Sequence, residues 1–318
     1  MNALQRPPAL KPGDTIAIVP TARAIAVDEL QDGITLAESW GLRVKLGEGV
    51  GRKHFQQGGT AKERAADLQA AIDDPNVKAI WCARGGYGTV QLMEHQRLSA
   101  LKRHPKWIVG FSDITVLHNA LHNMGLCSLH AQMPFMIGTK TEQCRETLRQ
   151  ALFGEGYEVM SSESRVPMGS LTTGDSRPTT NCEGILTGGN LSLLYALRGT
   201  PYDIDPAGKI LILEDLDELL YHLDRMSMNL RLAGWFKNLK GLIIGGMSDM
   251  HDKDERDPFG EGPDEIIRRA TEGTEYPICF NFAVGHIADN RALILGAKTQ
   301  LSVTDEGATL SFGADRSA

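Results

Sequence analysis

Residues 107–115 read WIVGFSDIT and join an apolar run to a polar turn. The run WIVG has the length and apolarity of a buried strand. It ends just before Ser112 and Asp113, and the stretch that follows, ITVLHNALHNM, has the spacing of a helix. A strand that passes into a helix through a hydroxyl and a carboxylate indicates an α/β unit with polar groups at a strand end.

The rest of the first half alternates strand and helix patterns around this segment. Further strand patterns are TIAIV (15–19), RVKLG (43–47) and VKAIWCA (77–83), and a helical pattern covers residues 28–40. Thr60 and Glu63 form a capping box that opens another helix, which reaches about Ile72. Strands that alternate with helices predict a parallel, doubly wound sheet of the flavodoxin or Rossmann type. We therefore expect an N-terminal α/β domain over residues 1–154.

The amino-acid composition changes at residues 155–183. This stretch is rich in Ser, Thr, Gly and Pro, a composition that predicts a linker or mobile loop. Beyond it, strand patterns return at 184–186, 209–214, 241–246 and 278–282, with helical patterns at about 189–197, 217–232 and 263–271. The chain ends in strand patterns with a hairpin turn at Asp305-Glu306-Gly307. We expect a smaller, mixed α/β domain over residues 184–318.

The composition restricts the class of protein. A length of 318 residues predicts two domains, and 42% hydrophobic with 23% charged residues is ordinary for a globular protein. The net charge is −7 and no basic stripe is present, which argues against a nucleic-acid partner. No apolar run reaches ~18 residues, and no signal pattern opens the chain. The five Cys form neither a disulfide framework nor a CxxC pair. We expect a cytoplasmic protein with no membrane partner.

Two strand ends in the first half carry unusual sequences, RGGYG (84–88) and GFSDIT (110–115). Ligands of doubly wound sheets bind at the carboxyl ends of strands. A Ser on a sharp strand-to-helix turn resembles a nucleophile elbow, and the next backbone N–H can hold an oxyanion. The G-x-S-x-G pattern fails at Ile114, however, and a helix N-cap at Ser112 or Asp113 is the alternative.

The adjacent glycines of RGGYG would let the backbone approach a ligand closely. Their N–H groups could complete an oxyanion hole. A dinucleotide-binding turn lacks its G-x-G-x-x-G pattern here, and an ordinary double-Gly turn stays open as an alternative.

A serine nucleophile needs a base and a carboxylate that orients the base. His286 follows the apolar stretch ICFNFAV and Gly285, although a structural His is equally compatible with this position. Glu214 ends the apolar run KILILE, where an acid is costly unless it has a partner. We expect Asp215, with the acids after it, at the exposed start of the next helix.

Two other histidine patterns are weaker candidates. His118 and His122 are spaced as in H-E-x-x-H, but Asn119 replaces the Glu, so packing or solvated side chains are expected rather than a metal site. His251 lies in an acidic loop that lacks the spacing of a calcium site. Ser112, Glu214 and His286 remain as a possible nucleophile, acid and base.

Several motifs together resemble the LD-carboxypeptidases, serine peptidases that include the microcin C self-immunity peptidases. The motifs are RGGYGT (84–89), GFSDIT (110–115), GGNLSLL (188–194), LILEDLDE (211–218) and VGHIADN (284–290), in the order of the family. The resemblance extends from about Pro12 to Leu310. HAQMP (130–134) and ALILG (292–296) depart from the family pattern and leave the local loop shape open.

This resemblance implies a Ser112–Glu214–His286 triad in a cleft between the two domains. It also implies an oxyanion hole from the N–H groups of Gly86 and Asp113. Arg84 and Gly85 are candidates for substrate binding, with a strand-end salt bridge as the alternative role of Arg84.

The resemblance further implies release of the terminal D-Ala from murein tetrapeptides, at a bond that follows an L-centre, in cell-wall recycling. We expect a homodimer that needs no metal or organic cofactor. The microcin branch tends to carry a Trp in the interdomain loop, and 155–183 has none, which favours murein peptides. Another serine amidase or esterase, or a nucleotide- or phosphate-binding α/β protein without peptidase activity, is the alternative.

Overall fold

The computed structural model of the chain describes residues 4–161, 180–254, 256–304 and 306–315. The strands are β1 (Thr15–Val19), β2 (Arg43–Leu46), β3 (Val77–Cys82), β4 (Trp107–Gly110), β5 (Ser128–His130), β6 (Tyr157–Ser161), β7 (Thr180–Asn190), β8 (Ile210–Leu216), β9 (Gly241–Ser248), β10 (Ile278–Cys279), β11 (Leu293–Leu295), β12 (Lys298–Thr304) and β13 (Gly307–Phe312). The α-helices are α1 (Gln31–Ser39), α2 (Ala61–Asp73), α3 (Ala100–Arg103), α4 (Thr115–Asn123), α5 (Glu142–Leu152), α6 (Leu191–Ala196), α7 (Leu220–Leu232) and α8 (Pro263–Ala270).

The chain divides into two compact units that are not contiguous in sequence. The N-terminal unit contains Leu4–Tyr157, Ala288–Ala297 and residues 313–315, and the C-terminal unit contains Glu158–Ile287 and Lys298–Phe312. The predicted domains, 1–154 and 184–318, assigned every residue after 184 to the second domain. Ala288–Ala297 instead lies in the N-terminal unit, because β11 pairs antiparallel with β5.

The N-terminal unit is built on a six-stranded sheet with the order β11-β5-β4-β3-β1-β2. Strands β1 to β5 are parallel and lie in the flavodoxin-like order 2-1-3-4-5. Their side chains are buried along nearly the whole of β1, β3 and β4, which explains why these strands read as continuous apolar runs rather than alternating ones. The predicted α/β fold class is confirmed.

Two helices of this unit show how the local sequence forms them. The Thr60 hydroxyl accepts from the Glu63 N–H, and the Glu63 carboxylate accepts from the Thr60 N–H, so α2 opens on the predicted capping box. Helix α5 buries Cys144, Leu148 and Leu152, which recur every four residues and so form one apolar face.

The C-terminal unit contains a mixed seven-stranded sheet with the order β10-β9-β8-β7-β12-β13-β6. Strands β7 to β10 are parallel, whereas β12 pairs antiparallel with both β7 and β13. Its apolar core lies between the sheet and the helices; the buried residues include Leu211, Leu213, Leu242 and Ile244 of the strands, Leu223, Met226 and Leu230 of α7, and Ile266 and Ile267 of α8.

The predicted linker or mobile loop at 155–183 overlaps two strands. Residues 157–161 form β6, in which buried and exposed side chains alternate, and residues 180–183 already belong to β7. The prediction of a linker is wrong at both ends, where the chain forms strands with solvent-exposed positions. The remainder, residues 162–179, lies outside the described residues. Within the described chain, no helix is both long and apolar enough to cross a membrane.

Candidate active site

Ser112 lies at a sharp turn between β4 and α4. Its φ is +61°, in the left-handed region that residues other than glycine rarely adopt. A Cβ on Gly110 would lie 2.7 Å from Ile114 Cγ1, so the turn needs glycine at this position. No side chain caps the short 3-10 helix at 112–114 or α4, so the N-cap alternative is wrong. A strained residue at a strand end is what a nucleophile elbow requires.

Asp113 ties this turn to the glycine-rich loop that follows β3. Its side chain is buried, and its Oδ2 accepts a hydrogen bond of 2.8 Å from the Thr89 N–H. Burial raises the pKa of Asp113, whereas hydrogen bonds from Thr89 and Gly88 and the charge of Arg64 lower it. The Asp113 carboxylate therefore fixes the turn and does not cap the helix.

The glycine-rich loop lies directly beside the nucleophile candidate. Strands β3 and β4 are parallel, with Trp81 opposite Val109, so the two segments leave the sheet at the same edge. A Cβ on Gly85 would lie 3.6 Å from Ser112 Oγ. The φ of Gly86 is +106°, which only glycine adopts readily. The structure thus brings Gly85, Gly86 and Asp113 to Ser112, while the oxyanion role of the two N–H groups stays a prediction.

Arg64 is a member of this region that sequence reasoning missed. Its guanidinium is buried and donates to the carbonyls of Thr21, Gly59 and Gly88. Burial lowers its pKa, and the Asp113 charge opposes that effect. Arg64 therefore holds three backbone segments around the loop. In the sequence, an arginine within a helical stretch gives no sign of whether it is buried or exposed.

Arg84 forms the strand-end salt bridge that was the alternative to substrate binding. Its Nη1 lies 3.7 Å from Glu29 Oε1 and 3.3 Å from the Ala24 carbonyl oxygen. The guanidinium carbon lies 4.1 Å from the centre of the Phe135 ring. These contacts hold Arg84 on the protein, and its predicted part in substrate binding remains untested.

His118 supports the backbone just before the nucleophile turn. It is buried, with Nε2 2.9 Å from the Gly110 carbonyl oxygen and Nδ1 2.8 Å from Ser128 Oγ. Because a carbonyl only accepts, Nε2 carries the proton and Nδ1 accepts from the hydroxyl. Burial and then His130 lower the pKa of His118 to about 3, so the ring is neutral. The packing alternative to a His118–His122 metal pair fits these contacts.

Glu214 and His286 meet within the C-terminal unit. Glu214 is fully buried in β8, and its Oε2 lies 2.7 Å from His286 Nδ1. The β8–β9 register shifts between Leu213 and Asp215, and such a bulge re-aims the intervening side chain. His286 Nδ1–H donates to the carboxylate, which places the basic ring nitrogen at Nε2. A buried acid beside a partly exposed histidine can orient and charge-stabilise a general base.

Gly285 allows this pair to form. Its φ is +101°, and a Cβ there would lie 2.7 Å from Glu214 Cβ and 2.9 Å from its Oε2. The carbonyl of His286 accepts a hydrogen bond of 2.9 Å from Ser248 Oγ, which holds the backbone that carries the ring. Gly285, read in the sequence only as the residue before His286, is thus part of the site.

Asp215 is not at the exposed start of a helix, so that prediction is wrong. It lies buried within β8, which continues to Leu216, two residues past the end of the apolar run, and α7 begins only at Leu220. Its carboxylate accepts from Asn190 Nδ2 and from the Ser192 N–H, each at 2.8 Å. Burial, with the charge of Glu214, raises its pKa to about 7. Asp215 therefore joins the GGNLSLL segment to the strand that carries Glu214.

The chain matches known proteins over most of its length. Residues 16–131 match the LD-carboxypeptidase N-terminal domain, and residues 183–301 match the LD-carboxypeptidase C-terminal domain. The chain is 33% identical to the probable murein peptide carboxypeptidase of Bacillus subtilis, over 98% of this chain and 96% of that one. It is 31% identical to the murein tetrapeptide carboxypeptidase of Pseudomonas aeruginosa, over 87% of this chain and 89% of that one.

A solved structure is similar across both units. The crystal structure of muramoyltetrapeptide carboxypeptidase from Oxalobacter formigenes superposes with a TM-score of 0.79 at 25% identity, covering 94% of this chain and 98% of that one. Both halves of the chain match their respective domain models, and the relatives align over most of its length. The chain therefore belongs to the LD-carboxypeptidase family.

Proposed function

We propose that this chain is a serine LD-carboxypeptidase that releases the terminal D-Ala from murein tetrapeptides. The observation that carries the proposal is the 2.7 Å hydrogen bond from His286 to the fully buried Glu214, which the glycine at 285 makes possible. The strained φ of Ser112 beside Gly85 gives independent support for a nucleophile at the edge of the N-terminal sheet. The names of the relatives support the substrate class.

The proposed reaction follows from the roles of the three side chains. His286 Nε2 takes the Ser112 hydroxyl proton as Oγ attacks the carbonyl carbon of the last peptide bond. Glu214 stabilises the imidazolium, and the N–H groups of Gly86 and Asp113 bind the tetrahedral oxyanion. The proton then passes to the departing D-Ala amine, which leaves an ester on Ser112. Water cleaves that ester, again with His286 as the base.

The substrate assignment is tested with a panel of peptides followed by mass spectrometry. The panel contains murein tetrapeptides with L-Lys or meso-diaminopimelate at position three, the D-configured diastereomer, and a pentapeptide ending in D-Ala-D-Ala. Inverting the acyl-side centre would point the long side chain into the turn that carries Ser112, or would move the carbonyl out of the oxyanion hole. A shift of ~1 Å can cost ~10²-fold in rate.

D-Ala release from the L-configured tetrapeptides alone is the expected result. Equal release from the pentapeptide would identify a D,D- or general carboxypeptidase instead. An aminoacyl-nucleotide amide belongs in the same panel, because it represents the microcin-type substrate. Cleavage of that amide in preference to the tetrapeptide would overturn the murein assignment, which the absence of Trp from 155–183 favours.

We also propose the homodimer and the cytoplasmic location that the sequence analysis predicts. The five cysteines are all unpaired, as is usual in a reducing compartment. Size-exclusion chromatography with light scattering tests the dimer, and a monomeric mass at micromolar concentration would contradict it.

A further inference from the structure

Arg23 lies against the glycine-rich loop from the neighbouring strand end. It follows β1, and the loop at 84–88 follows β3. In the strand order 2-1-3-4-5, the crevice between the ends of β1 and β3 is the topological switch point where such sheets bind ligands. A Cβ on Gly86 would lie 2.8 Å from Arg23 Cγ and 3.6 Å from its Nε. Glycine at position 86 therefore leaves room for the stem of Arg23.

The backbone that carries Arg23 is held in place on both sides. Arg23 forms an antiparallel bridge with Gln57, and the Ala24 N–H donates to the Gln56 carbonyl at 2.9 Å. Arg84 Nη1 donates to the Ala24 carbonyl. The Arg23 side chain thus starts from a fixed point and runs over Gly86, although the residue itself is exposed.

The two arginines of this region differ in their charge balance. Arg84 has Glu29 at 3.7 Å and the Phe135 ring beneath it. Burial lowers the pKa of Arg84, Glu29 opposes this, and the charge of Arg23 lowers it further, so the two cations lie close together. Within the described part of the chain, no ion pair or hydrogen bond engages the Arg23 guanidinium. One positive charge beside the loop is therefore left without an anion.

We propose that Arg23 binds the free C-terminal carboxylate of the peptide substrate. The inference rests on the proposed function and names the group that recognises the chain end. Gly85 borders Ser112 Oγ, and its neighbour Gly86 borders Arg23, so the nucleophile and the cation flank the same two glycines. In a peptide the terminal carboxylate lies only about 4 Å from the carbonyl carbon of the last bond. A guanidinium matches a carboxylate with two parallel hydrogen bonds.

The test compares two forms of one substrate, the L-configured murein tetrapeptide with a free terminal carboxylate and the same peptide with a terminal D-alaninamide. Release of D-Ala or of D-alaninamide is measured by mass spectrometry for the wild type, Arg23→Gln and Arg23→Lys. Arg43→Gln is the charge-matched control, because Arg43 is exposed at the opposite end of the parallel strands.

We expect Arg23→Gln to lower kcat/KM for the acid by about 10- to 100-fold, mainly through KM, since a charged hydrogen-bonded contact is lost. Its kcat/KM for the amide should change by less than about threefold, so the preference for the acid collapses. Arg23→Lys should keep part of that preference, and Arg43→Gln should keep all of it. Circular dichroism checks that each variant is folded.

A folded Arg23→Gln variant that keeps the wild-type acid-over-amide ratio would overturn the inference. So would a collapse of that ratio in Arg84→Gln and not in Arg23→Gln. Both outcomes are distinct from failure of the proposed function, in which the wild type releases no D-Ala from the acid at all.

Discussion

The contact between Glu214 and His286 depends on the glycine at position 285. Its own φ of +101° would strain any side chain, and a Cβ would also meet Glu214 Cβ at 2.7 Å. Non-bonded carbon atoms do not approach so closely, so an alanine at position 285 would force either Glu214 or the turn before His286 to move. The sequence showed the glycine but offered no reason for it, because its partner lies 71 positions earlier in the chain.

Gly285→Ala is therefore expected to lower kcat/KM by at least about 10²-fold, as displacements of ~1 Å at a reacting centre do. Gly273→Ala is the matched control, since Gly273 has a φ of +84° with nothing within 4 Å of an added Cβ. That variant should lose about 1 kcal/mol of stability from its backbone conformation alone and keep its activity. Steady-state kinetics with thermal unfolding measures both effects. Equal activity in the two variants would show that the Glu214 contact does not matter.

At the scale of the element, β8 presents consecutive acids with different partners. Glu214 binds His286, and Asp215 binds Asn190 and the Ser192 N–H. The apolar run in the sequence predicted where the strand begins but not where it ends, because Glu214 and Asp215, just before its last residue, are polar and buried. A hydrophobic pattern cannot distinguish a buried acid with partners from an exposed acid at a helix start. The sequence placed Glu214 at the end of the strand, whereas β8 continues to Leu216, and the bulge that re-aims Glu214 was not predicted.

Asp215 gives this element a pH dependence. Its pKa of about 7 lies above the ordinary 3.8, so the folded chain binds the proton more tightly than the unfolded chain does. The contribution of Asp215 to the free energy of unfolding is fully present below about pH 4 and is lost as the pH rises through 7. Asparagine does not titrate, so the Asp215→Asn variant should not lose this contribution. The unfolding free energy of the variant minus that of the wild type should therefore increase from pH 4 to pH 7.

Denaturant unfolding at several pH values measures this difference. Asp73→Asn is the matched control for the substitution itself, because Asp73 is exposed on α2. A difference between Asp215→Asn and wild type that stays constant over this pH range would contradict the buried, protonated state of Asp215.

At the scale of the whole molecule, the path of the chain was the least predictable feature. The alternation of strands and helices around WIVGFSDIT was sufficient for the parallel sheet, and the separate motifs pointed to Ser112, Glu214 and His286. The return of Ala288–Ala297 to the N-terminal unit had no local signal, since ALILG reads as a strand whichever sheet it joins. The roles of Arg23 and Arg64 were hidden for the same reason, because each depends on contacts between segments far apart in sequence.

This path predicts how fragments of the chain behave. In the N-terminal unit, β11 covers the edge of β5, the Tyr157 hydroxyl donates to the Ala292 carbonyl at 3.0 Å, and the Ala292 N–H donates to Thr147 Oγ1 at 3.0 Å. A fragment of residues 4–157 should therefore unfold at a lower denaturant midpoint than the same fragment with residues 288–297 joined by a flexible linker. An uncovered strand edge also favours aggregation. Identical midpoints would mean that the segment adds nothing to the unit.

The most direct test of the central claim is the kcat/KM for D-Ala release from the L-configured murein tetrapeptide, measured for the wild type and for Ser112→Ala. If Ser112 is the nucleophile, the wild type releases D-Ala and the folded variant loses several orders of magnitude in rate, as removal of a triad member does. A folded Ser112→Ala variant within about tenfold of the wild type would contradict the account.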